Sequence, residues 1–410
     1  MNNSVTVVGA GLAGCEAALQ LVQNGYNVTL YDAKPKYLLP AYSLSGFAEL
    51  VCNNAVSSYN TDSPLGLLNV ELNKMGSRLI EIAQSCRIDD NRFFSIDKKR
   101  FTSMVTKEIQ NSGICIVNRA VTELPKDETV IVASGPLTNE QIVRSVVSRL
   151  GVKGFFFSDA SCAIVDIKSI DLSSKYIKRI TGDLYTVEIP EDVFDEFWFR
   201  LVNARQCNDS GLPDVEFEKC HSIEKLASIG KEALSQARFT YPYQEGNCLL
   251  LRRENGLEDG YIMVGCMTTI CHADQRAAFS VFPGFQKMRL VKYGRMHRNT
   301  FFDSPRFMDS FYKVKKEDIY IIGQLSGIDG YLPAISSGLV SALRIIHGKK
   351  MKPFPRETMI GALAHYVSNE EVSDYQPMCA SYSLLKRNKK MGFYEASMST
   401  LDEYKKSLAC

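Results

Sequence analysis

A glycine-rich turn, GAGLAG at residues 9–14, constrains this chain more than any other segment. It follows SVTVV at 4–8, which reads as a buried parallel strand, and precedes CEAALQLVQNG at 15–25. The apolar residues of that second stretch recur at helical spacing, and Gly25 fits its C-terminal stop. A further strand, NVTLYD, ends on Asp32, about twenty residues beyond the turn. A lone GxGxxG is a weak signal. Held between strand and helix with an acid in place, it predicts a βαβ unit that binds a dinucleotide. Gly9 permits the tight turn, Gly11 lets the backbone approach a diphosphate, and Gly14 lets the helix pack close to the sheet. The intervening Ala10, Leu12 and Ala13 complete the binding turn, whose diphosphate faces free N–H groups at the helix start. Asp32 is expected to accept hydrogen bonds from the adenosine ribose and to disfavour a 2′-phosphate.

Two later segments extend the pattern. TVIVASGP at 129–136 reads as a strand ending in small residues and Gly135. DIYIIGQLSGIDG at 318–330 reads as a strand running into Gly323, Gly327 and Gly330. A helical pattern containing Ser337 begins near Ala334, so a second helix N-terminus returns to the dinucleotide. NAD alone needs no such return, whereas a two-part FAD site does. The expected fold is therefore α/β: a two-part Rossmann-like FAD-binding domain over residues 1–150 and 285–365. Residues 151–284 alternate short strands with loops and read as an inserted α/β domain, and 366–410 as C-terminal helices and loops.

Bulk properties exclude several alternatives. The chain has 410 residues, 45% hydrophobic and 23% charged, as expected of a globular protein with two or three domains. A formal charge of +2 means that any nucleic acid must be met by a local basic patch. No apolar run reaches bilayer-spanning length, and no signal peptide fits ahead of the first strand, so no membrane association and a cytoplasmic location are expected. Twelve scattered cysteines, with no CxxC, point to reduced thiols and to no bound metal.

Further blocks carry a family resemblance. FAELVCNN at 47–54, FEKCHSIEKLASIG at 217–230, YGRMHRNTFFDSP at 293–305, GQLSGIDGY at 323–331, FPRETMIGALAHY at 354–366 and YQPM at 375–378 occur in this order around the glycine turn. In this arrangement the chain resembles the TrmFO family of folate- and FAD-dependent RNA (uracil-5-)-methyltransferases. The glycine turn alone also fits the longer GidA-type flavoproteins, which lack the MHRNTF block. The resemblance implies transfer of a methylene carbon from 5,10-methylenetetrahydrofolate to C5 of a uridine, with reduced FAD as reductant and NADH or NADPH reloading the flavin.

Such chemistry requires an activated cysteine, because a thiolate adding at C6 of uracil makes C5 nucleophilic. Cys220 and Cys52 match the family's functional positions. Cys220 is the expected C6 nucleophile and Cys52 its assistant near the flavin, with the reverse assignment open. The block 285–301 mixes basic and aromatic residues, and its His297, Arg298 and Asn299 are expected to contact RNA or folate. After Cys52 the family's usual Ser-Asn-Ser-Leu-Arg is replaced by Asn53, Asn54, Ala55, Val56 and Ser57, which loses an arginine. That change leaves tRNA and 23S rRNA both open as the RNA partner. It also leaves open a flavoenzyme without folate-dependent methylation, or a non-catalytic RNA-binding flavoprotein.

Overall fold

The computed structural model describes residues 3–37, 42–51, 54–58, 60–88, 93–126, 129–182, 184–206, 221–240, 246–254, 259–387 and 391–408, with backbone alone at 58, 93, 155–161 and 295–298. The chain divides into two units, residues 1–155 with 300–410, and residues 156–299.

The first unit is built on a parallel sheet. Its strand order is Ile319–Ile321, Thr129–Val132, Ser4–Val8, Asn27–Asp32, Cys115–Asn118. Every pair in it is parallel, from Ser4↔Asn27 on one side to Val5↔Thr129 on the other. The first strand is central and its Val5, Val7 and Val8 are buried, which is why it reads as a continuous apolar run. The turn helix spans Leu12–Gln23 and stops as its sequence suggests: Gly25 takes φ +80°, and Tyr26 N–H returns to the Leu21 carbonyl at 3.2 Å. Across the sheet the return strand leads into the helix Tyr331–His347. A Cβ on Gly338 of that helix would lie 2.3 Å from the Ala13 carbonyl oxygen, so the two helices cross at backbone contact.

Buried carboxylates tie the helices of this unit together. Glu16, on the turn helix, accepts from Ser77 Oγ and from the N–H groups of Arg78 and Leu79, satisfying the start of the helix Arg78–Ser85. Glu71 accepts from Met359 N–H at 2.8 Å, Ile360 N–H at 2.9 Å and Ser397 Oγ at 2.6 Å. That one side chain joins the helices Pro64–Lys74, Met359–Tyr366 and Phe393–Leu408.

The second unit contains a six-stranded sheet, ordered Ile177–Thr181, Leu184–Ile189, Asn247–Arg253, Gly260–Met263, Ile164–Asp166, Leu290–Lys292. All its pairs are antiparallel. Val165, Val187, Leu249, Leu251 and Met263 point to one face and meet Phe194, Phe197, Phe239, Phe279 and Phe282. The helices therefore cover a single face of an antiparallel sheet, a refinement of the expected α/β insert.

The boundaries differ from those expected. The second unit runs to Asn299, beyond 284, because Leu290–Lys292 pairs with Ile164 and Val165 of its sheet. The stretch from 366 belongs to the first unit, where its helix Phe393–Leu408 reaches Glu71 and Lys74. The chain passes between the units along the strands Gly154–Ser161 and Arg295–Phe302, which form their own two-stranded sheet. Among the described residues, no helix is long and apolar enough to cross a membrane, and no group of three or more His, Cys, Asp or Glu side chains is arranged to hold a metal ion.

A candidate dinucleotide site at the end of the parallel sheet

The glycine turn closes the first strand of the sheet. Gly9 adopts φ +106°, and a Cβ there would lie 2.4 Å from the Ala133 carbonyl oxygen, so only glycine fits. Gly14 is excluded from substitution by a different contact, 1.9 Å from a Cβ to the Gly9 carbonyl oxygen. Around Gly11 the situation is the opposite: an added Cβ would meet nothing within 4 Å. Gly11 therefore leaves open space at the helix start where its neighbours fill theirs. Leu12 and Ala13 are buried, and they contribute backbone at the first turn of the helix.

Asp32 holds the turn from the next strand. Its Oδ2 accepts from Ala10 N–H at 2.7 Å and its Oδ1 from Lys34 N–H at 2.8 Å. A carboxylate has further lone pairs, so it retains capacity for a ligand hydroxyl. Around it a cleft of about 310 Å³ is lined by Gly9, Asp32, Lys34, Tyr42, Arg119 and Ser134, among others. Lys34 is 5% exposed, and its ammonium donates to the Gly46 carbonyl at 2.6 Å and lies 4.4 Å from the centre of the Tyr42 ring. The Arg119 guanidinium lies 5.6 Å from the Tyr31 ring centre. The sequence pattern singles out neither Lys34 nor Arg119. Their position two and one residues beyond strands that end at this edge was the available signal.

The return segment converges on the same place. Gly323 has φ +67°, and its Cβ position lies 3.4 Å from the Ala13 methyl. Its N–H donates to Ser337 Oγ at 2.8 Å, and that hydroxyl donates in turn to the Ala334 carbonyl at 2.7 Å. Ser337 is fully buried, so its hydroxyl serves the Gly323 turn within the protein. Gly135, Gly327 and Gly330 take φ of +76°, +83° and +106°. Gly330 stands before the helix Tyr331–His347, which has no side-chain cap and no acid in its first turn. The helix Leu12–Gln23 also lacks both. Two helix starts with glycine N-caps thus turn positive dipole ends toward the same end of the sheet, a fit for a diphosphate or another anionic part of a cofactor.

Cys52 and Cys220 lie outside the described residues, as do the side chains of His297 and Arg298, which belong to the strand Arg295–Phe302. Asn299 is buried in the second unit. The stretch leading to Cys52 is anchored to the glycine turn, since Ala48 N–H donates to the Ala10 carbonyl at 2.9 Å. Burial raises the thiol pKa of Cys15, Cys86, Cys248, Cys266 and Cys379, which makes these poor thiolates.

The sequence matches the family described as Glucose inhibited division protein A over residues 4–353. It is 34% identical over 428 residues to a Methylenetetrahydrofolate--tRNA-(uracil-5-)-methyltransferase TrmFO of Acetivibrio thermocellus, covering 98% of each chain. A protein of the same name from Bacillus subtilis is 33% identical over 406 residues, covering 93% of this chain and 92% of the relative. Among solved structures, Aquifex aeolicus GidA superposes with a TM-score of 0.72 at 16% identity, covering 99% of this chain and 74% of that one, which shows the shared fold. The glycine turn with Asp32, the return through Gly323 and the end-to-end match agree: the chain belongs to the TrmFO family.

Proposed function

We propose that this protein methylates C5 of a uridine in RNA, taking the carbon from 5,10-methylenetetrahydrofolate and holding FAD at the glycine turn. The observation that carries the reading is the end-to-end relationship to proteins named for this reaction, joined to a site shaped for a dinucleotide. Gly9, Gly11, Gly14, Asp32, Gly135, Gly323, Gly327 and Gly330 would hold FAD, with Ala10, Leu12 and Ala13 contributing backbone and Ser337 fixing Gly323. The open space at Gly11, the two helix starts with glycine N-caps and the Asp32 carboxylate all fit that group. When bound and reduced, FAD supplies the hydride that converts the transferred methylene into a methyl group, and NADH or NADPH restores it.

The chain's own chemistry lies in its thiols. A thiolate of Cys220 adds to C6 of the uracil, and the resulting nucleophilic C5 bonds to the folate methylene carbon. Loss of the C5 proton lets the bond between the methylene carbon and the folate nitrogen break, releasing tetrahydrofolate; hydride arriving at that methylene would complete the methyl group as the C6–S bond breaks and the thiolate returns to the cysteine. Cys52, four residues beyond Ala48, assists at the flavin side. The raised thiol pKa values elsewhere support this choice, because a thiol kept protonated by burial is a poor nucleophile. His297, Arg298 and Asn299 are assigned to RNA or folate contact.

The relatives' names specify tRNA, so tRNA is the first substrate to test. The residues following Cys52, with Ser57 in place of arginine, favour 23S rRNA as the second. Purified protein is incubated with methylene-labelled folate, NADH or NADPH, and either RNA. Label is expected in 5-methyluridine of one RNA, and both Cys220→Ala and Cys52→Ala are expected to abolish it while retaining flavin. Flavin reduction with no label in either RNA would sink the methyltransferase reading and leave a flavoenzyme of another kind.

A further inference from the structure

The segment 375–379 includes the YQPM block, to which the proposed chemistry gives no task. In the structure it runs along the glycine loop 323–330 and is bonded to it from both sides. Met378 N–H donates to the Gly327 carbonyl at 3.0 Å, and Asp329 N–H donates to the Met378 carbonyl at 2.9 Å. Ile328 and Met378 form an isolated parallel bridge. The Tyr375 hydroxyl donates to the carbonyl of Ser326, a residue with no exposed surface. The Tyr375 ring fills the space beside Gly327, where a Cβ would lie 2.4 Å from the phenol oxygen and 2.5 Å from Cε1. Tyr366 stacks on that ring, with centroids 5.1 Å apart and planes at 26°.

We propose that Tyr375 is a positioning residue for the cofactor, acting through the loop 323–330. This rests on the reading that FAD is held there. Gly327 ends the short helical turn Gly323–Ser326 in a left-handed conformation, which frees carbonyls at the turn's end. A buried carbonyl at Ser326 needs a donor, and Tyr375 supplies it across 49 residues of sequence. The loop then enters the helix Tyr331–His347 through Gly330. Fixing Ser326 and Gly327 therefore fixes the direction from which the start of that helix meets its ligand. The ring and the glycine form a matched pair: without Gly327 the ring has no room, and without the hydroxyl the turn's carbonyl is orphaned.

Tyr375→Phe tests this, because it keeps the ring and removes only the oxygen. Hydrogen exchange is followed in the free protein, and FAD affinity is measured by titration of both proteins. Exchange in the peptide 323–330 is expected to quicken about tenfold while the helix Met359–Tyr366 keeps its protection, and FAD is expected to bind about tenfold more weakly. Unchanged exchange in 323–330 would overturn the proposal. So would faster exchange throughout the first unit, the mark of a general packing role, or faster local exchange with unaltered FAD affinity. Wild-type protein that takes up no FAD would instead overturn the cofactor reading, a result visible before the variant is considered.

Discussion

Gly11→Ala and Gly14→Ala change the same turn by one methyl group each and are expected to fail in opposite ways. A Cβ at residue 14 would lie 1.9 Å from the Gly9 carbonyl oxygen, about 1.1 Å inside the 3.0 Å that real Cβ atoms respect. The obstacle is backbone in the turn itself, so the helix Leu12–Gln23 has to move away from the sheet. Its crossing partner is the Gly338 region, where a Cβ position already lies 2.3 Å from the Ala13 oxygen, so the shift propagates into the helix Tyr331–His347. Overpacking of this kind costs about 3 kcal/mol, the upper end of the usual range, because backbone cannot rotate out of the way. At residue 11 the new methyl meets nothing within 4 Å, and Gly11 has an ordinary extended conformation with φ −77°. Gly11→Ala is therefore expected to keep wild-type stability within about 0.5 kcal/mol. Its methyl occupies the space assigned to the diphosphate, so FAD affinity is expected to fall at least about a hundredfold, or about 2.7 kcal/mol. Urea unfolding without flavin and flavin titration of the folded proteins separate the two effects. Gly11→Ala protein that binds FAD like the wild type would refute the placement of the diphosphate. An undiminished unfolding midpoint for Gly14→Ala would refute the packing argument.

Three further changes probe other parts of the molecule. Asp32→Asn presents an amide N–H₂ where one of Ala10 N–H and Lys34 N–H now donates, so FAD affinity is expected to drop about tenfold or more; equal affinity would show that the carboxylate does not organise the turn. Burial raises the Glu71 pKa from 4.5 to about 7, against the pull of its three donors. The folded chain then holds the proton more tightly than the unfolded one, and stability falls as pH rises from about 4.5 to about 7, by up to about 3 kcal/mol. Glu71→Gln, with no proton to lose, is expected to remove that decline in unfolding midpoints between pH 5 and pH 8; parallel pH profiles would mean that the donors keep Glu71 ionised. In the second unit, Gln275 donates to the Gly294 carbonyl and accepts from the Gly294 N–H, each at 2.9 Å. Gln275→Leu leaves both groups buried without that partner, at about 1–3 kcal/mol each. It is expected to speed proteolysis around residues 290–295, and unaltered cleavage would argue that Gln275 is dispensable.

The parts legible in the sequence were those whose physics is local. The strand, the turn and the stop at Gly25 each depend on a few neighbouring residues, and Gly9 and Gly14 are glycines for reasons that the motif itself encodes. The return through Gly323 was legible because three glycines cluster behind one apolar strand. Contacts between distant segments were not. Ser337 stands in the right helix, yet its bond to Gly323 shows a hydroxyl working inside the protein. The second unit's end at Asn299, beyond 284, depends on Leu290 pairing with Val165, and an apolar run does not reveal its partner. Lys34 reads as a surface lysine until Gly46 and Tyr42 are seen to enclose it. Tyr375 acquires meaning only beside Gly327.

The two-stranded sheet formed by Gly154–Ser161 and Arg295–Phe302 has a consequence for how such chains diversify. The polypeptide leaves the first unit and re-enters it on hydrogen-bonded neighbours, so the ends of the inserted unit emerge side by side. An insert attached in this way behaves like a cassette, because adjacent ends let it be exchanged, lengthened or shortened without rethreading the parallel sheet. The blocks around the glycine turn and those of the insert can then drift at different rates. A lineage can redirect what the insert meets while the nucleotide-holding frame stays as it was.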